Sequence, residues 1–428
     1  MIHTDVLIAG SGCAALYCAL SFPSAVKITL ITKKDLRGNN SYLAQGGMAV
    51  KKDDQDFTSY FEDTLNAGHR ENDPESVRIM IDSSKDLADS LLSLGVRFNR
   101  DKNGTLLYTR EGAHSKKRIL FHQDNTGQEI TEKLLQAVQS RPNIQLLEYT
   151  PLIDLLVQDN LCYGAVIADP DQNCDVIFAK VTILATGGLG GLFPHSTNLP
   201  HLTGDAFSLA LKHQIALRDM DYIQIHPTTL YSDHNNERAF LISESVRGEG
   251  AKLYGKDGER FVNELLPRDV VTKAIYHQMK IDSMPFVWED LRPIPREELE
   301  LHFPNIVAYC KEHGYDVTKE CIPVVPAQHY FMGGIRVDHQ GKTSMKCLYA
   351  VGETACNGVH GKNRLASNSL LESMVFSKRA AADITKQLSD IPTSNEIQLP
   401  KTFSKSPQQF IQENQERIYH YYQQLEVL

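Results

Sequence analysis

The first thirty-two residues narrow the possible folds more than any other stretch. Residues 4–10 (TDVLIAG) are an apolar run ending in glycine, the pattern of a strand buried on both faces of a parallel sheet. Residues 14–22 (AALYCALSF) read as a helix, and residues 27–32 (KITLIT) as a second buried strand. Between the first strand and the helix stands Gly10-Ser11-Gly12-Cys13-Ala14-Ala15. In such a turn the first glycine permits the tight bend and the second lets the backbone approach a pyrophosphate. The third position needs only a small residue, which Ala15 supplies. Amide groups at the helix start would take the phosphates. The chain is therefore expected to be α/β, opening with a Rossmann-like dinucleotide domain.

One part of that signature is missing. The second strand should end in an acidic residue for the ribose hydroxyls, and here Thr32-Lys33-Lys34 stands instead. A hydroxyl and a lysine can serve an adenosine ribose in its place. Two further strands end in glycine. Residues 179–185 (AKVTILA) are closed by Thr186-Gly187-Gly188, and residues 347–352 (CLYAVG) run into Glu353. Three such strand ends can converge on one extended cofactor, which favours FAD.

The rest of the chain reads more coarsely. A helical region is expected over about 57–94, with Asp73-Pro74-Glu75 as a helix start, and another helix over 126–139. Residues 144–157 and 161–168 alternate like strands. Residues 220–330 hold scattered His, Arg and Pro, two short helical stretches and no strand–glycine–helix signal, so they read as an inserted domain. Short strands return over 335–351, and residues 367–388 form one helix. Residues 389–407 are a Pro/Ser/Thr-rich linker, and 408–425 a polar helix with apolar Phe410, Ile411 and Ile418.

Composition excludes several classes of function. With 44 Lys+Arg against 53 Asp+Glu the net charge is −9, which weighs against nucleic acid as a partner. No apolar run reaches the ~18 residues of a membrane span. The eight cysteines include no Cys-x-x-Cys pair, so no metal site is expected. With no export signal in the sequence, a reducing cytoplasm is the expected location.

Seven blocks carry a resemblance. They are Ser41-Tyr42-Leu43-Ala44-Gln45-Gly46-Gly47, Glu111-Gly112-Ala113-His114-Ser115, Gln224-Ile225-His226-Pro227-Thr228, Arg247-Gly248-Glu249-Gly250, Pro267-Arg268-Asp269, His329-Tyr330-Phe331-Met332-Gly333-Gly334, and the run from Asn363-Arg364 to Leu371-Glu372. The chain resembles the succinate dehydrogenase/fumarate reductase flavoproteins over about residues 1–388, and within them a branch that oxidises L-aspartate. The resemblance implies an FAD-binding domain of residues 1–220 and 331–388, with an α+β capping domain of residues 221–330 inserted. A linker and short helical tail occupy 389–428, where relatives carry a longer bundle.

The resemblance also implies a site. FAD would lie on Gly10, Ser11, Gly12, Cys13, Ala14, Thr32, Lys33, Asn40, Ser41, Ala44, Gln45, Gly46, Gly47, Ala185, Thr186, Gly187, Asp205, Glu353, Ser369 and Leu370. Respiratory relatives link the flavin to a histidine five residues before the Gln-Gly-Gly glutamine. That position is Asn40 here, so non-covalent FAD is expected. A four-carbon dicarboxylate would meet Arg364, His226, His329 and Arg268, with Ser243, Gln224 and Glu244 beside them. Arg268 resembles the family's proton-transfer residue, which needs a dry pocket and an adjacent relay; Asp269 and Glu249 are near it in sequence.

Glu111 separates substrates. Relatives acting on succinate and fumarate carry an apolar residue there. A carboxylate would repel a plain dicarboxylate and pair with the ammonium of L-aspartate. The implied reaction gives iminoaspartate, with oxygen or fumarate as electron acceptor, as the first step of NAD synthesis, and quinolinate synthase would take the product. The alternatives are a soluble fumarate reductase or succinate dehydrogenase flavoprotein, and a flavin-binding protein without activity. His3, His69, His234 and His420 carry no functional expectation.

Overall fold

The computed structural model describes residues 1–232, 238–391 and 405–425. His234 and most of the expected 389–407 linker lie outside the described residues.

The opening unit forms as its sequence dictates. Strand Ile2–Ala9 runs parallel to Ile28–Ile31 on one side and to Cys174–Leu184 on the other. Ile144–Leu147 adds a parallel edge beyond Ile28–Ile31. The other edge of the eleven-residue strand Cys174–Leu184 is shared between two further partners. Its first half pairs antiparallel with Leu161–Ala168, itself antiparallel to Leu152–Gln158; its second half pairs parallel with Leu348–Ala350. The region 144–157 is thus two strands. Every residue of Ile28–Ile31 is buried because both faces of the sheet are covered. Helices Cys13–Ser21, Thr126–Gln139, Pro74–Ser93 and Asn368–Gln387 pack on one face, and Asp205–Lys212 lies on the other.

Gly10 shows why the first strand must end in glycine. Its amide donates to the Ile31 carbonyl at 2.9 Å, and the Ala185 amide donates to Ala9 at 2.8 Å. Its φ is +130°, and a Cβ there would sit 2.0 Å from the Ala185 carbonyl oxygen. Two strand ends meet at a distance that only a hydrogen can fill.

The region 57–94 is two helices, Asp56–Ala67 and Pro74–Ser93. The second is capped as its sequence signals, with Asp73 accepting from the Ser76 amide.

Residues 223–331 depart furthest from expectation. They hold a four-stranded antiparallel sheet in the order Ile223–Leu230, Ile322–Phe331, Val287–Asp290, Lys252–Tyr254. Helices Arg268–Asp282, Arg296–His302 and Pro304–Glu312 accompany it. A separate core, including Ile242, Val246, Leu253, Val271, Ile275 and Val324, holds this unit together. Its long strands hide from a periodicity reading. Ile223–Leu230 carries His226 and Pro227, Ile322–Phe331 carries Pro323 and Pro326, and their register slips between His226 and Thr229.

The tail helix Pro407–Gln424 starts with a capping box between Ser406 and Gln409. It lies on the main domain: Phe410 packs on the antiparallel strands, and Ile418 and Tyr422 enter the core beside Asp205–Lys212. The Tyr422 hydroxyl donates to the Met220 carbonyl at 2.8 Å. Among the described residues, no helix is long and apolar enough to cross a membrane.

Candidate active site

A cavity of about 1580 Å³, solvent at its mouth included, opens between the glycine-ended strands and the second sheet. All the residues expected to hold FAD are on its wall, from Gly10–Ala14 to Ser369 and Leu370. Glu111, His226, Ser243, Glu244, Arg268, His329 and Arg364 line it too. Gln224 is the exception among the expected residues. It sits one layer behind, donating to the Asn363 side chain at 2.8 Å and to the Arg364 carbonyl at 2.7 Å, and accepting from Arg268 Nη1 at 2.9 Å.

At the nucleotide end, Ser11 Oγ and Thr32 Oγ1 share a hydrogen bond of 3.2 Å, and the Cys13 amide donates to Ser41 Oγ at 3.1 Å. Lys33 is anchored by an ion pair to Asp205 at 2.9 Å, with a further bond to the His201 carbonyl at 3.0 Å. Asn40 donates to Asn198 at 2.7 Å and accepts from the Leu199 amide at 3.1 Å. Gln45 Oε1 is buried and has no partner among the described residues. Gly47 has no room for a side chain, since a Cβ would lie 2.2 Å from the Leu120 carbonyl oxygen. Burial raises the Glu353 carboxyl to about 7, even though Glu353 accepts from the Phe331 amide at 2.9 Å.

The substrate end is built from both units. Arg268, first residue of its helix, donates from Nε to Glu244, the first residue of helix Glu244–Gly248. Arg247 reaches the same carboxylate at 3.7 Å. Burial works against the charge on Glu244, but Arg268 and Arg247 outweigh it and hold the carboxyl below its ordinary 4.5. Glu244 therefore stands where a relay partner was sought. Asp269 is instead paired with His69 at 3.1 Å, and Glu249 with His302 at 2.8 Å.

The two histidines face each other edge to face with ring centroids 5.1 Å apart. Burial first, then the Arg268 guanidinium, pushes both well below the ordinary 6.5. They are neutral imidazoles that offer hydrogen bonds, not charge. His226 Nδ1 lies 3.1 Å from the Thr228 amide and 3.0 Å from the Thr228 carbonyl, while its buried Nε2 has no partner among the described residues. His329 Nδ1 bonds Thr197 Oγ1 at 2.7 Å.

Arg364 lies over the Tyr330 ring at 4.4 Å and donates to Ser369 Oγ at 3.0 Å, with its buried Nε unpartnered among the described residues. Burial brings its pKa down to about 10, so it remains a cation at neutral pH. Glu111 is 2% exposed and accepts from Ser245 Oγ and Ser367 Oγ, each at 2.6 Å. Burial and then Glu244 raise its pKa. The neighbouring Ala113 has a left-handed φ of 62°.

Sequence reasoning missed Ser245, Ser367, Arg247, Thr197 and Arg238. Ser367 and Arg247 stand inside blocks that carry the resemblance, and Ser245 lies two residues before Arg247. Thr197 and Arg238 stand in no motif.

The sequence pattern of the FAD binding domain family matches residues 5–370. The chain is similar to the L-aspartate oxidase of Clostridium perfringens, 50% identical over 387 residues that cover 90% of this chain and 88% of that one. Its likeness to the L-aspartate oxidase of Clostridium acetobutylicum is 49% over 390 residues, covering 91% and 90%. Among solved structures, a mutant FrdA of E. coli quinol fumarate reductase matches with a TM-score of 0.86 at 32% identity, over 92% of this chain and 72% of that one.

Proposed function

The chain belongs to the L-aspartate oxidase family of FAD-binding flavoproteins, and from that premise we propose that it oxidises L-aspartate to iminoaspartate, with oxygen or fumarate as acceptor, opening de novo NAD synthesis. We take residues 1–220 and 331–388 as the FAD-binding domain and 221–330 as its cap.

The residues present fit FAD. The closed approach of Gly10 to Ala185 leaves backbone on the wall where a side chain would stand, and Gln45 Oε1 is an orphaned acceptor on the same wall. Gly10–Ala14 would hold the pyrophosphate, Thr32 and Lys33 the adenosine end, and Gln45–Gly47 the flavin end. FAD supplies the two-electron acceptor when bound.

The chain's own groups bind and orient the substrate. Arg364 takes one carboxylate, and the neutral imidazoles of His226 and His329 add hydrogen bonds. Arg268 stands at the inner end of the sequence Arg247–Glu244–Arg268. The two cations keep Glu244 ionised at rest, so the carboxylate is open to a proton passed through the Arg268 guanidinium and becomes neutral until it gives that proton up.

Glu111 carries the choice of substrate. It is a buried carboxylate on the cavity wall whose only hydrogen-bond partners are two serine hydroxyls, and no cation lies within ion-pair distance among the described residues. The ammonium of L-aspartate supplies the missing cation. Peroxide formation with L-aspartate but not succinate supports this reading. Equal or better turnover of succinate would replace it with a fumarate-reductase-type activity. Because an imine of this kind hydrolyses readily, quinolinate synthase in the cytoplasm is the fitting consumer of the product.

A further inference from the structure

Not every charged group on the cavity wall is paired with another. Arg268 is held by Glu244 and Lys33 by Asp205. Glu111, Glu353, Arg364 and Arg238 line the same cavity and have no oppositely charged group within ion-pair distance among the described residues.

Arg238 lies outside every block of the family resemblance, yet the two residues that follow it are pinned by backbone bonds. The Ala239 amide donates to the Ser196 carbonyl at 2.8 Å, and the Phe240 carbonyl accepts from the Leu230 amide at 2.9 Å. This fixes the half-buried side chain where the second sheet meets the loop Ser196–Asn198. Nη1 donates to the Thr197 carbonyl at 3.2 Å. The same Thr197 bonds His329 through its hydroxyl at 2.7 Å, so Arg238 and His329 are organised by one residue. A guanidinium carries five N–H donors, and one is accounted for here.

We propose that Arg238 is a substrate-binding residue that takes the second carboxylate of the dicarboxylate, beside His329. Arg364, in the turn before helix Asn368–Gln387, then grips one carboxylate from the FAD-binding side, and Arg238 the other from the cap side. Glu353, whose carboxyl burial raises to about 7, already accepts from the Phe331 amide at 2.9 Å. Apart from it, L-aspartate's two carboxylates and one ammonium face two guanidinium groups and one carboxylate on the wall that have no ion pair among the described residues. Burial draws the Arg238 pKa below its ordinary 12.5, as befits a desolvated cation awaiting an anion.

This inference rests on the substrate reading above, and its test separates the two. Holoenzymes carrying Arg238→Gln and Arg238→Lys are compared with wild type for KM and kcat on L-aspartate, for FAD content, and for the thermal shift given by succinate against butyrate. Loss of a charge-assisted, fork-shaped contact should raise KM by roughly 10- to 100-fold in Arg238→Gln and less in Arg238→Lys, with kcat changed by less than about fivefold. FAD content should stay the same, and the thermal shift with succinate should fall to that with butyrate. A KM within about twofold of wild type in both variants overturns the proposal. So does loss of FAD with KM preserved, which would move Arg238 to the cofactor. If Arg238→Gln does not fold, Arg238→Lys decides: it keeps the charge without the fork, and an unchanged KM defeats the idea. Wild-type protein that neither turns over L-aspartate nor shifts with succinate overturns the substrate reading, and this inference with it.

Discussion

A carboxyl group taken out of water beside another carboxylate favours its protonated form, and Glu111 is in that position. Burial and Glu244 lift it above the ordinary 4.5 while two hydroxyls support the ionised state. The ammonium of L-aspartate needs it ionised. As pH falls through the raised value Glu111 gains its proton, so kcat/KM for L-aspartate should drop on an acid limb lying above that of an ordinary carboxylate. Fumarate has no ammonium, and its reduction should lack that limb. Glu111→Gln should abolish the limb and cost L-aspartate about 1.5–3 kcal/mol in kcat/KM while sparing or helping fumarate. Equal losses for both substrates would mean that Glu111 only holds its loop. Glu111 itself was legible because it stands in a block of the family resemblance. Its partner Ser367 lies 256 residues away in sequence, and pairing at that distance leaves no local pattern to read.

Asp124 joins elements of the two units. It lies just before helix Thr126–Gln139 of the main domain, yet its carboxylate accepts from the amide of Ile306 at 2.8 Å and from the amide and side chain of Asn305 at 3.3 and 2.7 Å. It thus caps helix Pro304–Glu312 of the second unit from outside. Asp124→Ala should lower stability by about 1–2 kcal/mol in thermal or denaturant unfolding, with Asp124→Asn intermediate. An unchanged midpoint in both would leave the clasp without energetic weight. No sequence rule could find it, because a cap borrowed across units replaces the local Ser, Thr or Asp that normally marks a helix start. The same contrast runs through the fold. The strand–glycine–helix unit and the Asp73 cap were readable because their partners are neighbours in sequence. The second sheet was not, because Pro227, Pro323 and Pro326 interrupt its strands and its register slips. Of the cavity wall, the residues inside motifs were legible in the sequence. Arg247 as second partner of Glu244 and Arg238 beside Thr197 emerged only once the two units were brought together.

At the scale of the whole molecule, the cavity expected to take FAD is lined by residues of both units. Asn40 stands where the resemblance places a linking histidine, and it is engaged by Asn198 and Leu199. Acid precipitation should therefore release all the yellow cofactor into the supernatant, and flavin retained in the pellet would contradict this. The tail bears on the same cavity through helix Asp205–Lys212. Ile418 is fully buried in the core that contains Phe207 and Leu209, and it lies against Gly204, the residue that starts helix Asp205–Lys212. Arg417 donates to Ser208 in that helix at 3.0 Å. The first residue of the helix, Asp205, is the anchor of Lys33 at the nucleotide end. Ile418→Ala leaves a cavity under the helix and should lower stability by about 2–4 kcal/mol. The disturbance should pass to Asp205 and Lys33, so FAD should dissociate more readily on dilution, read as loss of bound flavin fluorescence quenching. Arg364, Arg268 and Glu111 stand on other elements, so KM for L-aspartate with saturating FAD should stay within about twofold. A variant that unfolds more easily but holds FAD as tightly as wild type would show that the tail supports the sheet alone, with no purchase on the nucleotide end.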